Sequence, residues 1–241
     1  MFGPHDVLLL DIGNTRIKYA QVSVGDVNIR TQICATIDGL QPLIRNAKCV
    51  VAASVQNDEA IQLIKQQCEV NGIQFKHVVT QSEAFGIHCA YSQFKNLGVD
   101  RWLAVLGARM WTQSPVAILD LGTAATCDII VDNQHLGGWI APGFQLMRSA
   151  VISNTSKVFA NQMTPLNIGL GKDTPECVNL GGLAMLQGFF YSAKNLISSY
   201  ASEYEIFLCG GDSVMLSELL ADNVTMKPDL VLEGLSRFIP H

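Results

Sequence analysis

Apolar residues open the chain in a short unbroken run, Val7-Leu8-Leu9-Leu10, and then recur at strand-like spacing. The pattern predicts strands over 6–11, 15–23 and 27–34, with Gly25-Asp26 turning between the last two. Lys48 to Ala53 reads as another strand. Residues 57–71 take helical spacing through Ile61, Leu63, Ile64 and Cys68, and 74–79 is the next strand. Asp100 to Trp111 reads as a mostly apolar, buried helix. From Val116 the order restarts: strands over 116–120, 124–132 and 134–140, with Asp132-Asn133 as a turn, then a helix over 143–154 opened by Pro142-Gly143. A long helix follows over 174–198, interrupted at Gly181-Gly182, where a missing side chain allows close packing. The chain closes with a strand over 206–209 ending at Gly210-Gly211, a helix over 213–220 and a last helix from near Leu230. Three strands followed by alternating helices and strands, twice, is an internal duplication. The polar, helix-breaking Thr112-Gln113-Ser114-Pro115 marks the boundary, giving halves 1–113 and 114–241 in an α/β chain.

Each half carries the same chemistry at the end of its first strand. Asp11-Ile12-Gly13-Asn14-Thr15 follows Val7 to Leu10, and Asp120-Leu121-Gly122-Thr123 follows Val116 to Leu119. A strand delivers a carboxylate, a glycine lets the backbone approach a ligand, and hydroxyl and N–H groups stand ready for phosphate oxygens. Alone, either segment is a plain hairpin turn. The repetition in matching context points to a nucleotide site, with a cleft between the halves as its place.

Composition narrows the class without naming a reaction. Of 241 residues, 49% are apolar and 15% charged, which suits a chain with a large core. The net charge of −5, without a basic stripe, argues against nucleic-acid binding. The 7 cysteines are scattered singly, as reduced thiols in a core are, and neither they nor the 5 histidines show metal-ligand spacing. The first strand is too brief and too acidic at its end for a signal peptide, and no run is long enough to span a membrane. The expectation is a soluble, cytoplasmic protein.

Four ordered motifs carry a resemblance over essentially the whole chain: Asp11-Ile12-Gly13-Asn14-Thr15, Gly98-Val99-Asp100-Arg101, Asp120-Leu121-Gly122-Thr123-Ala124 and Gly137-Gly138-Trp139-Ile140-Ala141-Pro142-Gly143. Gly171-Lys172-Asp173-Thr174 and Cys209-Gly210-Gly211 add support. The chain resembles the type III pantothenate kinases, within the superfamily of actin, acetate kinase and sugar kinases. The resemblance implies duplicated ribonuclease-H-like domains with the nucleotide cleft between them. It also implies phosphorylation of pantothenate by ATP with Mg²⁺, a monovalent cation (K⁺ or NH₄⁺) and a homodimer.

By the same resemblance, Asp100 is the catalytic base, and Tyr91, Gly98, Val99, Asp100, Arg101 and Thr174 meet the substrate, Thr174 from across the dimer. Asp11, Ile12, Gly13, Asn14, Thr15, Arg16, Ile17, Lys18 and Thr123 hold ATP, and Asp120 is the metal ligand for the monovalent ion. Ordinary structural roles stand beside these. Asp100 also suits a helix N-cap, Lys18 a solvent-facing position, Arg101 a surface ion pair and Tyr91 a half-buried loop. Thr174 also suits a helix cap with Pro175 at the first helical position, and Gly210-Gly211 a strand-to-helix turn as well as an adenosine contact. Asp128 reads as structural, and the histidines carry no visible role. Asp173 stands where the family commonly has Asn. The alternative functions are a related sugar or alcohol kinase and an ATP-binding regulator, and a carboxylate at Asp100 favours a kinase over a pure binding module.

Overall fold

The computed structural model describes residues 6–13, 16–25, 29–55, 58–155, 159, 161 and 163–240. The chain divides into two compact units, residues 1–112 with 229–241, and residues 113–228.

The first unit begins with β1 (Val7–Ile12), β2 (Ile17–Val22) and β3 (Gln32–Cys34), then α1 (Ile37–Asn46), β4 (Cys49–Ser54), α2 (Asp58–Val70) and β5 (Gln74–Val78). A small hairpin of β6 (Glu83–Ala84) and β7 (Ile87–His88) precedes α3 (Val99–Ala108). The sheet order is β3-β2-β1-β4-β5, with β2 antiparallel to β1 and to β3, β4 parallel to β1, and β5 parallel to β4. Every residue of β1 is buried, which explains its unbroken apolar run: a strand covered on both faces has no polar side to alternate. Leu8, Leu10 and Ile12 pack with Leu40 and Ile44 of α1 and with Ile61, Ile64 and Cys68 of α2.

The second unit holds β8 (Val116–Leu121), β9 (Ala124–Val131), β10 (Gln134–Pro142), α4 (Phe144–Ser153), α5 (Thr174–Tyr200), β11 (Glu205–Cys209) and β12 (Val224–Met226). Its own strands run in the order β12-β11-β8-β9-β10. The central strand again has an antiparallel neighbour on one side and a parallel one on the other. Numbered within each unit, both sheets read 3-2-1-4-5, so the internal duplication is real and the fold is a pair of ribonuclease-H-like α/β domains. The core gathers Leu119, Leu121, Cys127 and Ile129 from the sheet with Leu183, Leu186, Phe190, Ala193 and Ile197 of α5. Those α5 residues recur every three or four positions, one helical stripe. The helix continues straight through Gly181-Gly182. At Gly182 a Cβ would lie 2.7 Å from Cε2 of Phe144, so the missing side chain seats that ring.

The last helix, α6 (Leu230–Ser236), belongs to the first unit rather than to the half that precedes it in sequence. Glycines explain why. A Cβ on Gly107 of α3 would collide with the Leu230 carbonyl, and one on Gly234 of α6 with the Leu103 carbonyl. The two helices therefore meet backbone to backbone. Other differences from the sequence reading are local. Among the described residues of the expected 27–34 strand, Gln32–Cys34 forms the paired strand; Asp26 to Asn28 lie outside the described residues, and the Thr31 N–H donates to Asp229 Oδ1 at 2.8 Å. The expected 213–220 helix is a run of 3-10 turns over Ser213–Leu219, broken at Leu216.

Candidate active site

In the first unit the phosphate-type hairpin sits where β1 gives way to β2. Asp11 is buried one residue from the end of β1, directly across from Lys18 of β2 and beside Ala53 of β4. Lys18 is intermediate in exposure and stands opposite a carboxylate, a favourable cross-strand placement. Ile12 and Ile17 are buried and anchor the two strand ends, while Arg16 is exposed. The Gly13 N–H donates to the Arg16 carbonyl at 3.2 Å and closes the turn. Asn14 and Thr15 lie outside the described residues.

The second unit repeats this arrangement. Asp120 stands one residue from the end of β8, across from Thr126 and beside Cys209 of β11. The Gly122 N–H donates to the Ala124 carbonyl at 2.9 Å, and Thr123 is exposed at the tip. Two further turns converge here. Gly210, at φ +84°, has no room for a Cβ, which would collide with Asp120 Oδ1 and the Leu121 carbonyl. The Asp212 N–H donates to that Leu121 carbonyl at 2.8 Å, and the Ser213 hydroxyl donates to the Gly210 carbonyl at 2.8 Å. Gly143, preceding α4, is equally tight against the Gly122 carbonyl.

The start of α3 assembles a second cluster in the first unit. Gly98 is the N-cap, so Asp100 is not the cap; it lies in the first turn and its Oδ1 accepts the Arg101 N–H at 2.8 Å. A Cβ at Gly98 would come within 2.6 Å of that oxygen, which accounts for the glycine. Arg101 is buried, not a surface ion pair. It donates from Nη1 to the Tyr91 hydroxyl at 3.2 Å, with its guanidinium carbon 5.9 Å from the ring centroid. Val99 is buried. Tyr91, Gly98, Val99, Asp100 and Arg101 are thus one local constellation.

Thr174 is the first residue of α5, and Asp173 is its cap: the Asp173 carboxylate accepts the Glu176 N–H at 2.8 Å, and the Glu176 carboxylate accepts the Lys172 N–H at 2.8 Å. This corrects the reading of Thr174 as cap. Both residues suit the position, and the stronger acceptor takes it. Freed from capping, Thr174 lines a groove of 660 Å³ between α4 and α5, with Arg148, Lys172, Val178 and Met185 around it.

One buried pair escaped the sequence reading. His135 is not an idle strand-end residue: its Nε2 lies 2.8 Å from Asp128 Oδ1, with both side chains buried. A bulge between His135 and Gly137, where φ reaches +116°, shifts the register that spacing alone would suggest. Among the described residues, no group of three or more His, Cys, Asp or Glu is arranged to hold a metal ion. The Asp11 and Asp120 carboxylates are hard oxygen donors, which suit Mg²⁺ or K⁺ accompanied by phosphate and water better than a soft metal. Among those residues, no helix is long and apolar enough to cross a membrane.

The model of the type III pantothenate kinase family matches residues 7–195. The chain belongs to that family. The type III pantothenate kinase of Pseudoalteromonas atlantica is 38% identical over 239 residues, covering 97% of each chain. That of Ectopseudomonas mendocina is 32% identical over 251 residues, covering 97% of this chain and 99% of its own. Two solved structures share the fold alone. A conserved Baf family protein from Campylobacter jejuni has a TM-score of 0.62 at 20% identity, over 95% of this chain and 96% of its own. The ethanolamine utilization protein EutJ from Carboxydothermus hydrogenoformans has a TM-score of 0.52 at 12% identity, over 99% and 91%.

Proposed function

We propose that this protein transfers the γ-phosphate of ATP to the primary hydroxyl of pantothenate, giving 4'-phosphopantothenate and ADP, the first step towards coenzyme A. The observation that carries this reading is Asp100. Its carboxylate stands in the first turn of α3, with one oxygen tied to the Arg101 N–H and the Arg101 side chain locked against Tyr91. A carboxylate so oriented accepts the hydroxyl proton as the oxygen attacks phosphorus, while the O–P bond to ADP breaks. Arg101 and the Tyr91 hydroxyl bond polar oxygens of pantothenate, Arg101 being suited to its carboxylate.

ATP is held by the hairpin of Asp11, Ile12, Gly13, Asn14, Thr15, Arg16, Ile17 and Lys18, with Thr123 from the second hairpin. Lys18 supplies a point charge for phosphate. Mg²⁺ arriving with ATP would neutralise charge on the transferring phosphate. Asp120 would hold the monovalent cation. Its carboxylate lies close against the Gly210 turn beside the Leu121 carbonyl, and both are oxygen donors of the right kind.

The enzyme works in the cytoplasm as a homodimer, in which Thr174 reaches the partner's pantothenate pocket. Supporting this, Leu146, Val151, Leu170 and Met185 are large apolar residues left exposed on and beside α4 and α5. ADP release with and without pantothenate tests the reaction, which requires release that depends on pantothenate; release that ignores it rejects the reading. Mixing inactive Asp100→Asn and Thr174→Arg chains tests the shared pocket. Subunit exchange should restore part of the activity, and proven exchange without recovery rejects a pocket shared between chains.

A further inference from the structure

The segment joining β5 to α3 carries Tyr91, which Arg101 bonds, and three further contacts of the segment bear on how it is held. At its neck the buried Thr80 hydroxyl donates to the Leu97 carbonyl at 2.8 Å, just before Gly98 and Asp100. In its middle the Cys89 N–H donates to the Ser82 carbonyl at 2.9 Å. The third is the tip of the β6–β7 hairpin, and it is unusual. Ala84 pairs with Ile87, so Phe85 and Gly86 form a two-residue turn, both with positive φ (53° and 77°). Asn-Gly is the ordinary solution for such a turn, because a bulky residue is strained at positive φ.

The Phe85 ring is nearly half exposed, so burial does not explain it. What it meets is the end of the chain. The Arg237 guanidinium carbon lies 4.1 Å from the Phe85 ring centroid, and the Phe238 ring packs edge-on at 5.0 Å. Arg237 also donates from Nη1 to the Leu106 carbonyl at 2.9 Å. Leu106 sits in the closing turns of α3, the helix whose first turn presents Asp100 and Arg101. One guanidinium therefore lies over the hairpin's ring and at the same time bonds the α3 backbone, a pairing for which the single ammonium of Lys is less suited.

We propose that Arg237 is a positioning residue for the pantothenate pocket: by gripping Phe85 and Leu106 together, it sets the hairpin, and with it Tyr91, against α3. This rests on the assignment of Tyr91 and Arg101 to substrate, so its test needs one readout independent of turnover.

Hydrogen exchange on the intact chain supplies that readout. In Arg237→Met the amides of 84–91, Cys89 included, should exchange about tenfold faster, with β1 and β4 unchanged. The KM for pantothenate should rise about tenfold while the KM for ATP holds, and Arg237→Lys should recover only part of either change. Phe85→Asn separates gripping from local strain. Asn suits the positive φ better but removes the ring, so the proposal requires faster exchange there too, and wild-type behaviour in Phe85→Tyr. Unchanged exchange in Arg237→Met, slower exchange in Phe85→Asn, or loss of protection spreading into β1 would each overturn it. If the wild-type protein does not phosphorylate pantothenate, the functional reading falls and the exchange result still judges the grip.

Discussion

Gly210 and Asp120 contend for one small volume: a β-carbon at residue 210 would collide with Oδ1 of Asp120, and the backbone there is held at φ +84°. Gly210→Ala therefore adds a clash to a left-handed backbone, at a cost of about 2 kcal/mol or more. Denaturant unfolding should show that loss. Calorimetric titration should show weaker ATP binding as the Asp120 carboxylate is displaced.

Asp120 itself should govern the response to cations. Turnover should depend on K⁺ or NH₄⁺, and Asp120→Ala should remove that dependence and weaken ATP binding, since nearby phosphate charge is left less well neutralised. Initial rates in potassium, ammonium and sodium buffers check this; equal rates in all three for the wild-type protein count against the assignment.

Asp100→Asn keeps an oxygen to accept the Arg101 N–H, so the start of α3 and the melting temperature should be preserved. Its kcat should nonetheless fall by about 10²-fold or more. Tyr91→Phe removes one acceptor from the buried Arg101 guanidinium, worth about 1–3 kcal/mol, and should appear mainly in the KM for pantothenate. Near-normal kcat in folded Asp100→Asn would remove Asp100 from the role of base.

What could be read from the sequence was what is local. The two Asp-x-Gly hairpins and the Asp132-Asn133 turn announce themselves within a few residues, and β1 reads as a strand because both its faces are covered. Helix α1 was hidden by its own breakers. Gly39 is there because a Cβ would sit 2.7 Å from Cys34 Sγ, and Pro42 lies on the exposed face, where water can take the backbone acceptor it leaves unmatched. The β6–β7 hairpin was hidden because Phe85 is the wrong residue for its turn unless Arg237, far along the chain, is already in place. Long-range backbone contact also decides where α6 belongs, through Gly107 and Gly234. Pattern alone carries no trace of such contacts.

Cys49 and Cys68 make alkaline pH a probe of the first core. Burial pushes both thiols up from 9.0 to about 11, with Cys49 adding to the rise at Cys68. The unfolded chain loses these protons near pH 9 and the folded chain only near 11, so the stability they contribute is present below pH 9 and drains away as pH rises towards 11. Melting temperatures across that window should fall, and Cys68→Ala should flatten the fall. Both thiols should resist alkylation at pH values where the exposed Cys177 is modified.

The central claim is the transfer of phosphate to pantothenate, and mass analysis of the acceptor tests it most directly. The purified protein, given ATP, Mg²⁺, K⁺ and an equimolar mixture of pantothenate with sugars and short alcohols, should convert pantothenate alone to its phosphate monoester, with one ADP formed for each. A phosphorylated sugar or alcohol in its place, or ATP consumed with pantothenate left intact, would contradict the account.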